Sequence, residues 1–150
     1  VGNWEMTALA YERAVSLVPD SFEYNKDLAV AYKKLKKYEK ALDAYKRALE
    51  TAEGRINAQI HANTGETALE LKKYEEAMGY LEKASKLNPE KQLMEAINAN
   101  FASAYSKKGL TAVEQEDYKQ ALEDFKNALR YAPDNKKLME SIKKLEKIIQ

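Results

Sequence analysis

The chain has 150 residues, 45% hydrophobic and 33% charged, enough for one domain with a continuous core. Lys+Arg numbers 25 and Asp+Glu 24, so a net charge of +1 gives no reason to expect a nucleic-acid partner, and the lack of cysteine excludes disulfides and thiolate metal sites. No apolar run approaches the roughly 20 residues that span a bilayer, so no membrane insertion is expected, and no signal peptide is visible; a cytoplasmic location is favoured only by default.

Ala, Leu, Lys and Glu dominate, with 5 Gly and 3 Pro, which predicts an all-helical chain. The chain opens Val1-Gly2-Asn3-Trp4-Glu5 without an initiator Met, and a helical pattern starts at once; this reads as a fragment of a longer protein. Residues 3–18 match only the second helix of a repeating unit. Residues 22–55, 58–91 and 95–134 are then three full units within a single domain spanning 1–150. Prolines at Pro19, Pro89 and Pro133 punctuate the helical stretches. Residues 135–150 carry the apolar stripe Leu138, Ile142, Leu145 and Ile149, with Lys143 where a small residue belongs, and are read as a capping helix.

The units announce themselves by self-similarity. Trp4, Tyr38, Tyr74 and Tyr118 open similar segments. Thr7, Ala41, Ala77 and Ala121 follow three residues on; Tyr11, Tyr45, Leu81 and Phe125 seven on; Ala14, Ala48, Ala84 and Ala128 ten on. These offsets put the residues on one helix face. A second apolar pattern precedes each tyrosine segment: Leu28, Ala29 and Tyr32; Thr64, Gly65 and Ala68; Phe101, Ala102 and Tyr105. The small residue at Ala29, Gly65 or Ala102 marks the crossing of two antiparallel helices. The spacing departs from regularity twice. Two extra residues are assigned near Ile56-Asn57. The longer excess is divided between Gln92–Met94 and the segment Gly109–Gln115, which either lengthens a helix by two turns or breaks it at Gly109.

This pattern resembles the tetratricopeptide (TPR) family, whose repeat places aromatic, small and Pro residues at these offsets. The resemblance implies a right-handed α-solenoid of antiparallel helix pairs, about seven helices in all. It also implies that the first helices line a concave face that holds an extended peptide. Carried over residue by residue, the partner-binding positions are Lys26, Asp27 and Val30; Gln59, Ala62, Asn63 and Glu66; and Ala96, Asn100 and Ser103. Asn63 and Asn100 fall at equivalent places, so their amides can donate to and accept from a peptide backbone. Leu69 and Ala99 join Ala62 and Ala96 in a floor of mostly small residues. The chaperone-tail clamp known in the family is disfavoured: Lys26 and Asn63 match it, but Val30, Ala96 and Asn100 stand where Asn, Lys and Arg are needed.

No catalytic constellation is present. His61 is the only histidine, and it reads as a packing residue. No glycine-rich phosphate loop or HExxH occurs, and the acidic residues alternate with lysines as surface ion pairs. Lysine pairs at Lys33-Lys34, Lys36-Lys37, Lys72-Lys73 and Lys107-Lys108 are solvated surface or a basic edge. The expectation is a non-catalytic module without cofactor that binds a peptide or partner helix. The alternatives are a scaffold that self-associates through exposed solenoid ends and a targeting arm of a larger enzyme.

Overall fold

The structure is a computed structural model that describes residues 2–150. These residues form nine helices and no strand: α1 (Trp4–Leu17), α2 (Phe22–Lys34), α3 (Tyr38–Glu50), the single turn α4 (Ala52–Arg55), α5 (Ala58–Glu70), α6 (Tyr74–Lys86), α7 (Lys91–Glu114), α8 (Tyr118–Tyr131) and α9 (Lys136–Ile149). They divide into two compact units, Val1–Pro89 and Glu90–Gln150. No helix among the described residues is long and apolar enough to cross a membrane.

In the first unit each helix packs on the next: α1 on α2, α2 on α3, α3 on α5 and α5 on α6. The crossings are built from small residues. Ala29, Ala41, Ala44 and Ala48 are fully buried around Tyr45, which is 1% exposed. A Cβ on Gly65 would sit 2.9 Å from Leu81 Cγ. The absence of a side chain there is what lets α5 approach α6. Side-chain caps start most helices: Asn3, Ser21, Asn57 and Asn135 accept from the backbone N–H three residues on.

The turn that joins the two helices of a pair is the same each time. Lys36, Lys72 and Glu116 adopt φ of 56°, 58° and 59°, the left-handed region. The next residue's N–H closes a six-residue loop: Lys37 to Tyr32 O (2.9 Å), Lys73 to Ala68 O (3.0 Å) and Asp117 to Ala112 O (2.9 Å). This is the Schellman stop of the first helix. Lys36-Lys37 and Lys72-Lys73 thus supply the turn residues themselves.

These turns fix the register, and they correct the third repeat. Lys36 lies seven residues after Ala29 and Lys72 seven after Gly65; Glu116 lies seven after Gly109, not after Ala102. A Cβ on Gly109 would meet the Phe125 ring at 2.6 Å, repeating the Gly65–Leu81 relationship at the same sequence separation. Gly109 is therefore the crossing residue of α7 and α8. The segment Gly109–Gln115, expected to be the insertion, is the regular end of the first helix. The extra residues lie ahead of Ala102: α2 and α5 begin seven residues before their small residue, whereas α7 begins at Lys91 and runs for 24 residues. The physical cause of the misreading is periodicity. Phe101-Ala102-Tyr105 imitates the apolar–small–aromatic pattern one heptad early, and seven residues are two turns to within about 20°.

The other departure takes the form of α4. Thr51 accepts from Gly54 N–H (3.0 Å) and donates to Ala48 O (2.7 Å). A Cβ on Gly54 would lie 1.9 Å from the Ala48 carbonyl, so only glycine fits. In the second unit α8 packs on α7 and α9 on α8. Leu138, Ile142 and Leu145 of α9 are buried, and Ile149 is exposed.

Candidate functional site

Within the first unit, α2, α3 and α5 enclose an open recess of about 420 Å³ lined by Val30, Lys33, Lys34, Lys36, Tyr38, Tyr45, Asn63, Glu66 and Glu70. Three sequence-predicted residues, Val30, Asn63 and Glu66, meet here. Lys33 reaches across from α2 to pair with Glu66 on α5 at 2.5 Å. Asn63 accepts from Gln59 Nε2 at 2.9 Å. Burial pushes the Tyr45 hydroxyl up to about 12; the Glu66 charge adds to this, and a hydrogen bond with Asn63 opposes it. The phenol is thus a neutral wall, with Lys33, Lys34 and Lys36 on the side of α2 and its turn and Glu66 and Glu70 on α5.

Lys26 and Asp27 lie elsewhere on α2. Lys26 pairs with Glu23 and stands 3.7 Å from Asp27. Asp27 accepts a hydrogen bond from the Tyr11 hydroxyl, the main cause of that hydroxyl's raised pKa, so α1 and α2 are tied at this point. Gln59 is exposed. Ala62 is 4% exposed and Leu69 also 4%, so neither contributes a floor. In the second unit Ala96 is exposed and Asn100 and Ser103 are half-buried on α7.

The corrected register changes what the α7 positions mean. Asn100 is not the equivalent of Asn63; Lys107 is. Ser103 corresponds to Gln59, Ser106 to Ala62 and Leu110 to Glu66. The row reads Asp27, Asn63, Lys107, and no asparagine ladder exists. The place where the clamp has Arg holds Lys107, and the place of its second Lys holds Ser103. Leu110 is 56% exposed at the position of Val30 and Glu66. From the sequence, Lys33, Lys34 and Lys36 stood out only as lysine pairs of a basic edge or solvated surface, and Tyr38 and Glu70 were missed, because a lining formed by two helices and a turn is not visible in one helix's periodicity.

Tetratricopeptide-repeat family models match residues 20–90 and 102–135. The chain belongs to the tetratricopeptide-repeat family. The second match starts at Ala102 and so counts Gly109 as the eighth residue of its repeat, as Ala29 is in a repeat starting at Phe22. This TPR chain is similar to three solved structures among others. MamA is 18% identical with a TM-score of 0.61, covering 97% of this chain and 78% of that one. YrrB, described as a TPR protein with an unusual peptide-binding site, is 19% identical with a TM-score of 0.58, covering 93% and 84%. PilF of Pseudomonas aeruginosa is 25% identical with a TM-score of 0.52, covering 96% of this chain and 60% of that one. No curated protein matches the chain.

Proposed function

We propose that the chain is a non-catalytic module that binds a peptide or a partner helix of another protein along the first-helix faces of its repeats. The recess between α2, α3 and α5 is its best-formed seat. The observation that carries this reading is the convergence of Val30, Asn63 and Glu66, from two successive repeats, on one open recess. Val30 offers an apolar contact, the Asn63 amide can pair with a peptide backbone, and Lys33, Lys34 and Glu66 can meet charges of either sign. The description of YrrB as peptide-binding agrees with this use of the fold.

The test is selection from a displayed peptide library, followed by calorimetry with the selected sequence carrying a free or an amidated C-terminus. Val30→Asp and Asn63→Ala are expected to weaken binding about tenfold or more. A peptide bound equally well by both variants removes the recess as the seat. Loss of binding on amidation assigns the ligand as a chain terminus.

A second reading, self-association, rests on α1. Met6, Leu9 and Leu17 are 61%, 59% and 77% exposed. Light scattering over a concentration series tests it, and a concentration-independent monomer mass removes it.

A further inference from the structure

The first two repeats solve the same local problem with different residues, and one solution is left open. Asn25 and His61 occupy equivalent positions, four residues before Ala29 and Gly65. Each ties down the carbonyl six residues upstream: Asn25 Nδ2 donates to Pro19 O at 2.7 Å, and His61 Nε2 lies 3.1 Å from Arg55 O. A carbonyl only accepts, so Nε2 carries the proton in the second case. In the first repeat the remaining polar atom is also used: Asn25 Oδ1 accepts from Arg47 Nε at 3.2 Å. The equivalent of Arg47 is Lys83. It does not reach His61; its ammonium lies 5.5 Å over the Tyr80 ring. His61 is 7% exposed, and its Nδ1 is buried without a hydrogen-bond partner. Native structures rarely leave such an atom unsatisfied without a ligand or a water in view.

Where the first repeat has a direct contact, the second has a recess of about 590 Å³, lined by Lys46, Leu49, Glu50, Arg55, His61, Tyr80, Lys83, Lys86 and Leu87. Lys46 is paired with Glu76 at 2.5 Å and Lys86 with Glu82 at 2.7 Å. Arg55 donates to Glu50 O at 2.8 Å but has no ion pair among the described residues, and neither has Lys83. Glu50 is the one acid in the lining. Leu49, Leu87 and Tyr80 give an apolar wall. His61 and Asn63 are two residues apart on α5, about 200° around the helix, so this recess is distinct from the candidate peptide seat.

We propose that this recess is a second binding site, for a phosphate monoester carried on an apolar or aromatic stem, such as a phosphorylated side chain of a protein. What bridges His61 and Lys83 must share a proton with Nδ1 and accept from cations. A phosphate monoester does both: its second pKa lies near 6, so its monoanion carries one O–H that can donate to Nδ1, while the other oxygens accept from Lys83 and Arg55. A carboxylate, ionised at neutral pH, has no proton to give.

The test is a titration of the full chain with phenyl phosphate, followed by amide and imidazole NMR signals, with benzoate in parallel. Saturable shifts are expected at Gly54, Arg55, His61 and Lys83 below about 10 mM, with benzoate at least about tenfold weaker. Lys83→Gln and Arg55→Gln, both on exposed side chains, are expected to weaken phenyl phosphate about tenfold each, and Lys119→Gln to leave it unchanged. Absence of saturation, equal binding of benzoate, or indifference to both charge removals overturns the proposal.

Discussion

The Phe125 ring occupies the space that a Cβ on Gly109 would enter, at 2.6 Å from two of its ring carbons. Phe125 is 4% exposed and held among Ala112, Ala121 and Leu138, so it cannot swing away cheaply. Gly109→Ala is therefore expected to destabilise the chain by about 1–3 kcal/mol despite alanine's better helix propensity. Gly79 is the contrast: nothing lies within 4 Å of its Cβ position on the exposed side of α6. Gly79→Ala is expected to stabilise by about 0.5–1 kcal/mol. Urea unfolding of the two variants checks both signs; a stabilised Gly109→Ala would mean that the crossing is not at that residue.

The pair turns give a second prediction. Lys36, Lys72 and Glu116 hold left-handed backbone that costs an L-residue about 1–2 kcal/mol, part of which glycine returns as unfolded-state entropy. Each of Lys36→Gly, Lys72→Gly and Glu116→Gly is expected to raise the thermal midpoint, by an amount equivalent to up to about 1 kcal/mol. Each turn's hydrogen bonds are local to it, so the gains are expected to add. Calorimetry of the single and triple variants measures this, and a lowered midpoint in all three singles would contradict it.

Asn25 is fully buried and spends three hydrogen bonds, to Pro19 O, Ser21 O and Arg47 Nε. Asn25→Ala leaves the Pro19 carbonyl without its donor beside a packed site and takes one acceptor from Arg47, whose side chain is exposed. A loss of about 2–3 kcal/mol is expected. A loss below about 0.5 kcal/mol in denaturant titration would show that water replaces these bonds.

Alkaline pH should loosen the first unit. Burial pushes the hydroxyls of both Tyr32 and Tyr45 up to about 12, with Glu12 adding to the effect at Tyr32 and Glu66 at Tyr45. The unfolded phenols lose their protons near pH 10 while the folded ones keep them. The unfolded state then binds fewer protons, so stability is full below pH 10 and falls as pH rises toward 12. Tyr45→Phe is expected to make the curve between pH 9.5 and 11.5 shallower. Equal slopes for the variant and the parent chain would show that the Tyr45 hydroxyl titrates normally.

The helix pairs were legible because Ala41, Ala77 and Ala121, with Tyr45, Leu81 and Phe125, repeat at fixed offsets within a single helix. What failed was the link from one helix to the next in the third repeat. Ala102 and Gly109 are both small and lie on nearly the same helix face, and only the Phe125 contact and the Glu116 turn tell them apart. Thr51 and Gly54 do carry a readable signal, a hydroxyl cap followed by a small residue, for the turn that became α4. The recess beside His61 had none, since it arises from what Lys83 does not reach. Of the residues expected to face a peptide, Val30, Asn63 and Glu66 line the recess, and Ala62 is buried.

His61 is the only histidine in the chain. Its ring proton is placed on Nε2 by the Arg55 carbonyl, which is held in position by α4 and its Thr51 cap. The imidazole is thereby a spectroscopic witness to that turn. Its tautomer, read from the ring nitrogen shifts of the nitrogen-15-enriched chain, reports whether the loop is closed, with no probe group attached.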